Sequence, residues 1–162
     1  MADAGAVGEN SPGPVEWVLF FCLDPPGFGK NATVYNLHSW LRYLVFLLGL
    51  AALGYAVWGI FGKRPYKKMM WDLSSWFTLS LYLQIVVGFF LVFGTTNRSF
   101  DRSLGLHMVF TMVAAVVSQM TYSANRRRPR DERSYGLHVW GVGLAYALVL
   151  GSLLVIRDSI FG

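Results

Sequence analysis

Four apolar stretches, each about 20 residues or longer, make up most of the chain and constrain its fold more than any other feature. They cover about residues 35–61, 71–93, 103–122 and 135–156. A helix rises ~1.5 Å per residue, so each stretch can cross the ~30 Å hydrocarbon core of a bilayer. Backbone groups in lipid must be paired within the protein, which leaves helices or a closed barrel. Strict alternation of polar and apolar residues is absent, so we expect four membrane-spanning helices.

The connections between these stretches are short, which favours antiparallel neighbours. We therefore predict an all-α fold, an integral membrane four-helix bundle of up-down-up-down topology formed by residues 35–162. Residues 1–34 are predicted to be an extended, irregular segment. Its apolar run WVLFFCL is too short to span a bilayer, and the sequence DPPGFG that follows breaks a helix. We expect this segment to lie at the membrane surface or on a partner chain.

Composition supports lipid as the main solvent and excludes several classes of site. Charged residues make up 14% of the chain, against about 25% in an ordinary soluble domain. A single cysteine, Cys22, allows neither an intrachain disulfide nor a cysteine-ligated iron–sulfur centre.

The basic residues predict the orientation in the membrane. Nine of them lie in the connections after the first and third stretches, against four at the opposite ends. The nine are Lys63, Arg64, Lys67, Lys68, Arg126, Arg127, Arg128, Arg130 and Arg133, and the four are Lys30, Arg98, Arg102 and Arg157. The positive-inside rule then makes loops 62–70 and 123–134 cytoplasmic and both termini extracytoplasmic. This clustering explains the net charge of +5 without nucleic acid as a partner, and we expect a bacterial inner membrane.

The three histidines each lie about one turn inside an apolar stretch. With the predicted topology, His38 and His107 lie at the same depth near the outer surface. His138 enters from the cytoplasmic side, on the order of 20 Å away along the membrane normal. Ionisable side chains inside a bilayer are costly and usually functional.

Two imidazoles at one depth on different helices predict a pair of axial ligands to one haem b. Zinc is a poorer fit because it takes three or four protein ligands, and no cysteine or carboxylate accompanies the histidines within a span. The other interpretation of His38 and His107 is a structural role in packing.

Four other polar residues are candidates for cofactor binding. Arg42 lies four residues after His38 on the same helix face and could pair with a haem propionate or a quinone head-group. Arg98 and Arg102 lie near the outer surface, where propionates would reach water. Gln84, in the middle of the second stretch, could bond a histidine or a quinone, or another helix. Aromatic residues could wall a porphyrin or act as interfacial anchors: Trp40, Phe89, Phe93, Phe110 and Trp140.

His138 has no histidine partner at its own depth, and several roles remain open for it. It could be an interfacial histidine bonded to backbone, donate to a loop group, line a quinone pocket, or ligate a pigment or a second haem with another chain. It is thus a possible second site.

The first stretch opens with LHSWLRYLV, which resembles the opening of small four-helix bacterial membrane proteins described as cytochrome b-like. An H-S-x-L-R-[WY] start, a glutamine-containing second span (here LQIVVGFFLVF) and a histidine early in the third span recur in that family. The resemblance covers residues 35–156 and implies electron transfer through b-type haem held by His38 and His107. The third-span sequence GLHMV departs from the acidic-His-Pro sequence expected there. Cytochrome b561-like proteins are a looser analogy, since they bind two haems with two histidine pairs.

Together these features predict a membrane-bound electron-transfer subunit with one haem b. It would belong to a larger respiratory or photosynthetic complex and exchange electrons with a quinol pool or an extracytoplasmic carrier. No nucleophile or acid–base pair of an autonomous catalyst is evident. Two alternatives are a cofactor-free accessory subunit and a (bacterio)chlorophyll-binding subunit.

Overall fold

The described residues form four long helices and no strand in a computed structural model of the chain, which describes residues 32–94, 101–129 and 131–161. The helices are α1 (Ala32–Phe61), α2 (Lys68–Gly94), α3 (Arg102–Arg127) and α4 (Tyr135–Phe161). All four are long and apolar enough to cross a membrane. The predicted all-α class with four spanning helices is confirmed, and it fits an integral membrane protein. Most of the predicted N-terminal segment, residues 1–31, lies outside the described residues.

The helices extend beyond the apolar stretches from which they were predicted. α1 begins three residues earlier than expected, and α3 continues to Arg127, one turn past residue 122. The polar residues after 122 can continue a helix as it leaves the apolar region. The helix ends at Arg127. The backbone of Arg128 is extended (φ −74°, ψ 144°) because a proline, here Pro129, disfavours helical backbone at the residue before it. At the other end, the Asp101 carboxylate accepts from the backbone N–H of Leu104 at 2.8 Å and caps α3.

Contacts at both ends show that sequential helices run antiparallel. Near one end, His38 of α1 contacts Gln84 of α2, and His107 of α3 bonds to Ser152 of α4. At the other end, the ring of Trp71 at the start of α2 lies 5.4 Å from that of Tyr122 near the end of α3. Each helix packs on its sequence neighbours, α1 also packs on α4, and α2 meets α4 across one diagonal. Within the described residues, α1 and α3 do not pack on each other.

Small residues allow the helices to approach closely, while large apolar side chains cover the outside. A Cβ at Gly49 would lie 2.6 Å from Tyr146 Cδ2, and one at Gly59 would lie 2.7 Å from the Tyr135 ring. Close packing at glycine is typical of membrane helices, which gain little from the hydrophobic effect when they associate. Each helix exposes large apolar side chains, among them Leu47, Phe90, Val116 and Trp140. A soluble bundle would present polar residues on this outer surface, whereas apolar side chains are favoured where the surface faces lipid.

Candidate functional site

Polar side chains collect at two places inside the bundle, near its opposite ends. The end where α1 and α3 begin is the predicted outer end. It holds a cavity of about 450 Å³, which we call the outer cavity. Small-molecule and cofactor sites typically enclose roughly 300–1,000 Å³, so the cavity has the size of a cofactor site. Its walls come from α1, α2 and α3, with only Ile156 from α4. The cavity therefore lies along the diagonal on which α1 and α3 remain apart.

Four of the six residues predicted to bind a cofactor line this cavity: His38, Arg42, Gln84 and His107. The structure thus brings together side chains that lie up to 69 positions apart in the sequence. Arg102 is exposed and does not line the cavity. Arg98 lies outside the described residues.

His38 is held by α2 on two sides. Its Nε2 atom lies 3.1 Å from the Gln84 side-chain nitrogen. A Cβ at Gly88 would lie 3.1 Å from His38 Cε1, so glycine at this position leaves room for the imidazole ring. His38 Nδ1 and Gln84 Oε1 are buried and have no hydrogen-bond partner. Both atoms could interact with a molecule in the cavity.

His107 is oriented by the backbone of α4. Its Nδ1 atom lies 3.1 Å from the carbonyl oxygen of Ser152, and since a carbonyl only accepts, Nδ1 carries the proton. The neutral ring then has an unprotonated Nε2. This is the tautomer in which a histidine ligates a metal while its other nitrogen donates to a carbonyl.

Arg42 lines the cavity and also interacts within α1. Its guanidinium carbon lies 5.1 Å from the centroid of the Tyr43 ring, and Nη2 donates to the Tyr43 hydroxyl at 3.4 Å. The side chain is half-buried. It brings a positive charge to the wall of a mostly apolar cavity, where it would favour an anionic group of a ligand.

Most of the aromatic residues considered as porphyrin walls face away from the cavity. Phe89 lines it, but Trp40, Phe93 and Trp140 are 70–82% exposed on the outer surface of the bundle. Phe110 is half-buried and is absent from the cavity wall. The apolar part of the wall consists mostly of aliphatic and methionine side chains, and Tyr35 is the other aromatic residue in it.

The second polar place surrounds His138, and it differs from an interfacial histidine bonded to backbone. The His138 side chain is fully buried. Its Nε2 lies 2.9 Å from the hydroxyl of Tyr66 and 2.8 Å from the Nδ2 of Asn125. Three elements meet here: α4, α3 and the connection between α1 and α2. Because the Asn125 amide nitrogen only donates, Nε2 accepts both hydrogen bonds. His138 therefore bonds to a loop group, as considered from sequence, but it accepts from Tyr66 rather than donating to it.

Sequence reasoning missed Tyr66 and Asn125. Asn125 lies beyond the third apolar stretch, but it continues a polar series on one face of α3, with Ser118 and Thr121, and this spacing could have identified it. Tyr66 lies in a connection with no periodicity, so no sequence signal indicated that it would contact His138. We call Tyr66, Asn125 and His138 the inner cluster.

Hydrogen bonds from Tyr135 hold the α1–α2 connection over the inner cluster. The Tyr135 hydroxyl donates to the Pro65 carbonyl at 3.1 Å and accepts from the Lys67 backbone N–H at 3.2 Å. The Tyr66 ring stacks on His138 at a tilt of 20°. Burial raises the pKa of Tyr66 to about 12, although the hydrogen bond to Asn125 and the charge of Arg133 oppose part of the shift.

Replacing Tyr66 with phenylalanine should lower the free energy of unfolding by about 1 kcal/mol, because one hydrogen bond to a buried imidazole is lost while that of Asn125 remains. The effect should depend on pH. Since the folded-state pKa of Tyr66 is raised, its contribution is present below the unfolded pKa of ~10 and is lost as pH rises through about 12. Denaturation in detergent at pH 8 and pH 11.5 measures both effects. Tyr82→Phe, at an exposed position of α2, is the control; equal losses from the two variants would contradict the assignment.

No family model, curated protein or solved structure matches this chain.

Proposed function

We propose that the protein is a membrane-bound b-type haem electron-transfer subunit, part of a larger respiratory or photosynthetic complex in a bacterial inner membrane. One observation carries the proposal. His38 and His107 come from α1 and α3, two helices that do not pack on each other, and both line one cavity of cofactor size. Two histidines from facing helices are an established way to hold haem iron, and bundle cores commonly house such sites.

The residues around the cavity have separate roles in this proposal. His107 is already oriented by the Ser152 carbonyl with Nε2 unprotonated. His38 rests on Gly88, and ligation through its Nε2 would require the Gln84 amide to give up its present contact. Arg42 offers a positive charge for a propionate. Haem, when bound, supplies one-electron redox chemistry, and the apolar wall would keep water from it and so tune the potential.

A quinone or quinol head-group is a second candidate ligand of the same cavity. The supporting observation is the pair of buried polar atoms without partners, His38 Nδ1 and Gln84 Oε1. A quinone carbonyl accepts hydrogen bonds and a quinol hydroxyl donates them, so either form could satisfy one of these atoms. The subunit would then exchange electrons with a quinol pool, and an extracytoplasmic electron carrier is the other partner that an outer site would allow.

The deciding experiment is a dithionite-reduced minus air-oxidised spectrum of the protein purified with its partner subunits, followed by a pyridine haemochrome assay. We expect a sharp b-type α band and about one haem per chain. Intact complex without any haem signal would contradict the proposal and favour a cofactor-free accessory subunit. An extractable pigment with a red-shifted band would instead favour a (bacterio)chlorophyll-binding subunit.

A further inference from the structure

Polar side chains in the bundle interior lie in a line between the outer cavity and the inner cluster. On α3 they recur at intervals of three or four residues, except where two alanines intervene, so they share one face of the helix. This face carries His107, Thr111, Ala114, Ala115, Ser118, Thr121 and Asn125. The facing side of α2 contributes Ser74 and Thr78, both buried. Polar groups inside a membrane are costly, and chains that include ionisable side chains such as histidine form the proton relays of pumps and transporters.

The inner half of this line contains two separate hydrogen-bonded groups and three polar atoms without a partner. The hydroxyls of Thr78 and Ser118 lie 2.7 Å apart. Thr121 and Asn125 follow Ser118 along α3 at one-turn intervals, and Asn125 contacts His138. Three buried atoms here have no hydrogen-bond partner: Ser74 Oγ, Asn125 Oδ1 and His138 Nδ1. Hydroxyl and imidazole groups can each accept one proton while releasing another.

The outer half contains room for water. A second, smaller cavity of about 20 Å³ has polar side chains of Arg42, Gln84, His107, Thr111 and Ser152 in its wall. A cavity can hold one water molecule when roughly 10–15 Å³ is open to the centre of a water-sized sphere and two to four polar groups can bond to the water. Gln84 Oε1, buried and without a partner, is one such group. The small cavity shares Arg42, Gln84, Ile85, His107 and Thr111 with the large one, so the two adjoin.

An apolar segment separates the two halves. Leu81 of α2 is 1% exposed and also lines the small cavity. Ala114 and Ala115 of α3 are buried between Thr111 and Ser118, which are about 10 Å apart along the helix axis. Short apolar constrictions of this kind block a pathway by excluding water from it.

We propose that the bundle contains a gated proton-transfer route between the inner cluster and the outer cavity, with Leu81 as its gate. A proton enters at His138, whose imidazole accepts it on one nitrogen and releases one from the other. It passes along the hydroxyls of Thr121, Ser118 and Thr78, with water molecules bridging the intervals, and reaches the outer cavity when water fills the gap at Leu81. The amides of Asn125 and Gln84 bind these water molecules and do not themselves carry the proton. Each imidazole, hydroxyl and water molecule on the route gains one proton as it releases another, so no bond other than O–H and N–H changes. The route requires no bound haem, and it is thus independent of the function proposed above.

The test measures proton flux through the full chain in liposomes that contain a pH-sensitive dye, with a potassium gradient and valinomycin supplying the driving force. Wild-type protein should conduct little because the gate is closed. Leu81→Ser should raise the flux severalfold by admitting water. Leu79→Ser is the matched control, since Leu79 lies on the same helix but is 45% exposed on the outer surface; it should remain at the wild-type level.

The increase should also depend on the inner half of the route. Adding Ser118→Ala or His138→Phe to Leu81→Ser should return the flux toward the wild-type level, and Ser118→Ala decides the matter if His138→Phe fails to fold. Equal flux through the Leu81→Ser and Leu79→Ser variants would overturn the proposal. So would an increase that persists with Ser118→Ala. Either result would mean that the interior polar residues only form hydrogen bonds that hold the helices together.

Discussion

Replacing His107 or His38 with alanine should reduce bound haem from about one per chain to less than about a tenth of that. Each substitution removes one of the two nitrogen donors that face the outer cavity from different helices. The residues around them, including Gln84 and Gly88 beside His38 and the Ser152 carbonyl beside His107, orient a ring but cannot replace it. The pyridine haemochrome assay on equal amounts of purified protein gives the stoichiometry directly.

The control for this prediction is His138→Ala. His138 lies in the inner cluster, bonded to Tyr66 and Asn125, and the outer cavity does not include it. This variant should therefore keep its haem, even if it is less stable. Free imidazole should restore haem to the His107→Ala protein by occupying the vacated space. Equal haem loss from all three variants would show that the losses come from misfolding rather than from missing ligands.

Introducing a methyl group at Gly141 should destabilise the bundle by about 1–3 kcal/mol, the usual cost of overpacking. A Cβ at Gly141 would overlap Thr121 Oγ1 and lie 2.5 Å from its Cγ2 and 2.7 Å from its Cβ. Thr121 is fixed in place because its hydroxyl donates to the Val117 carbonyl at 2.8 Å. Relief would therefore require α3 and α4 to move apart. Unfolding in mixed detergent micelles measures the change.

Gly143→Ala is the matched control, because a Cβ there would meet only Leu53 Cδ1, at an ordinary contact distance of 3.8 Å. Alanine is up to ~1 kcal/mol more favourable than glycine within a helix, so this variant should be neutral or slightly more stable. The double variant Gly141→Ala with Thr121→Ala should recover part of the lost stability, because alanine at position 121 removes Oγ1 and Cγ2 but keeps the Cβ that lies 2.7 Å away. Failure of that rescue would mean that the α3–α4 contact at Gly141 is not the source of the destabilisation.

The sequence alone was sufficient for the four long apolar helices of the described residues and for the end of the bundle near which each histidine lies. Apolar length determines which segments cross a membrane, and short connections force neighbours to run antiparallel. Counting residues from the ends of the apolar stretches then places His38 and His107 near one end of the bundle and His138 near the other. The tertiary structure agrees, with the first two in the wall of one cavity and His138 in the inner cluster.

Tertiary structure alone decided which face of each helix turns inward. The helices are apolar on nearly all sides because lipid and the protein interior favour the same side chains. The periodicity of the sequence therefore does not indicate which face of a helix packs against the other helices. This is why Trp40 and Trp140, plausible as cofactor walls from sequence, face outward, while the burial of His138 against Tyr66 was unforeseen. A connection such as that between α1 and α2 is positioned by contacts with the assembled bundle, here those of Tyr135 with Pro65 and Lys67, and these exist only once the helices have packed.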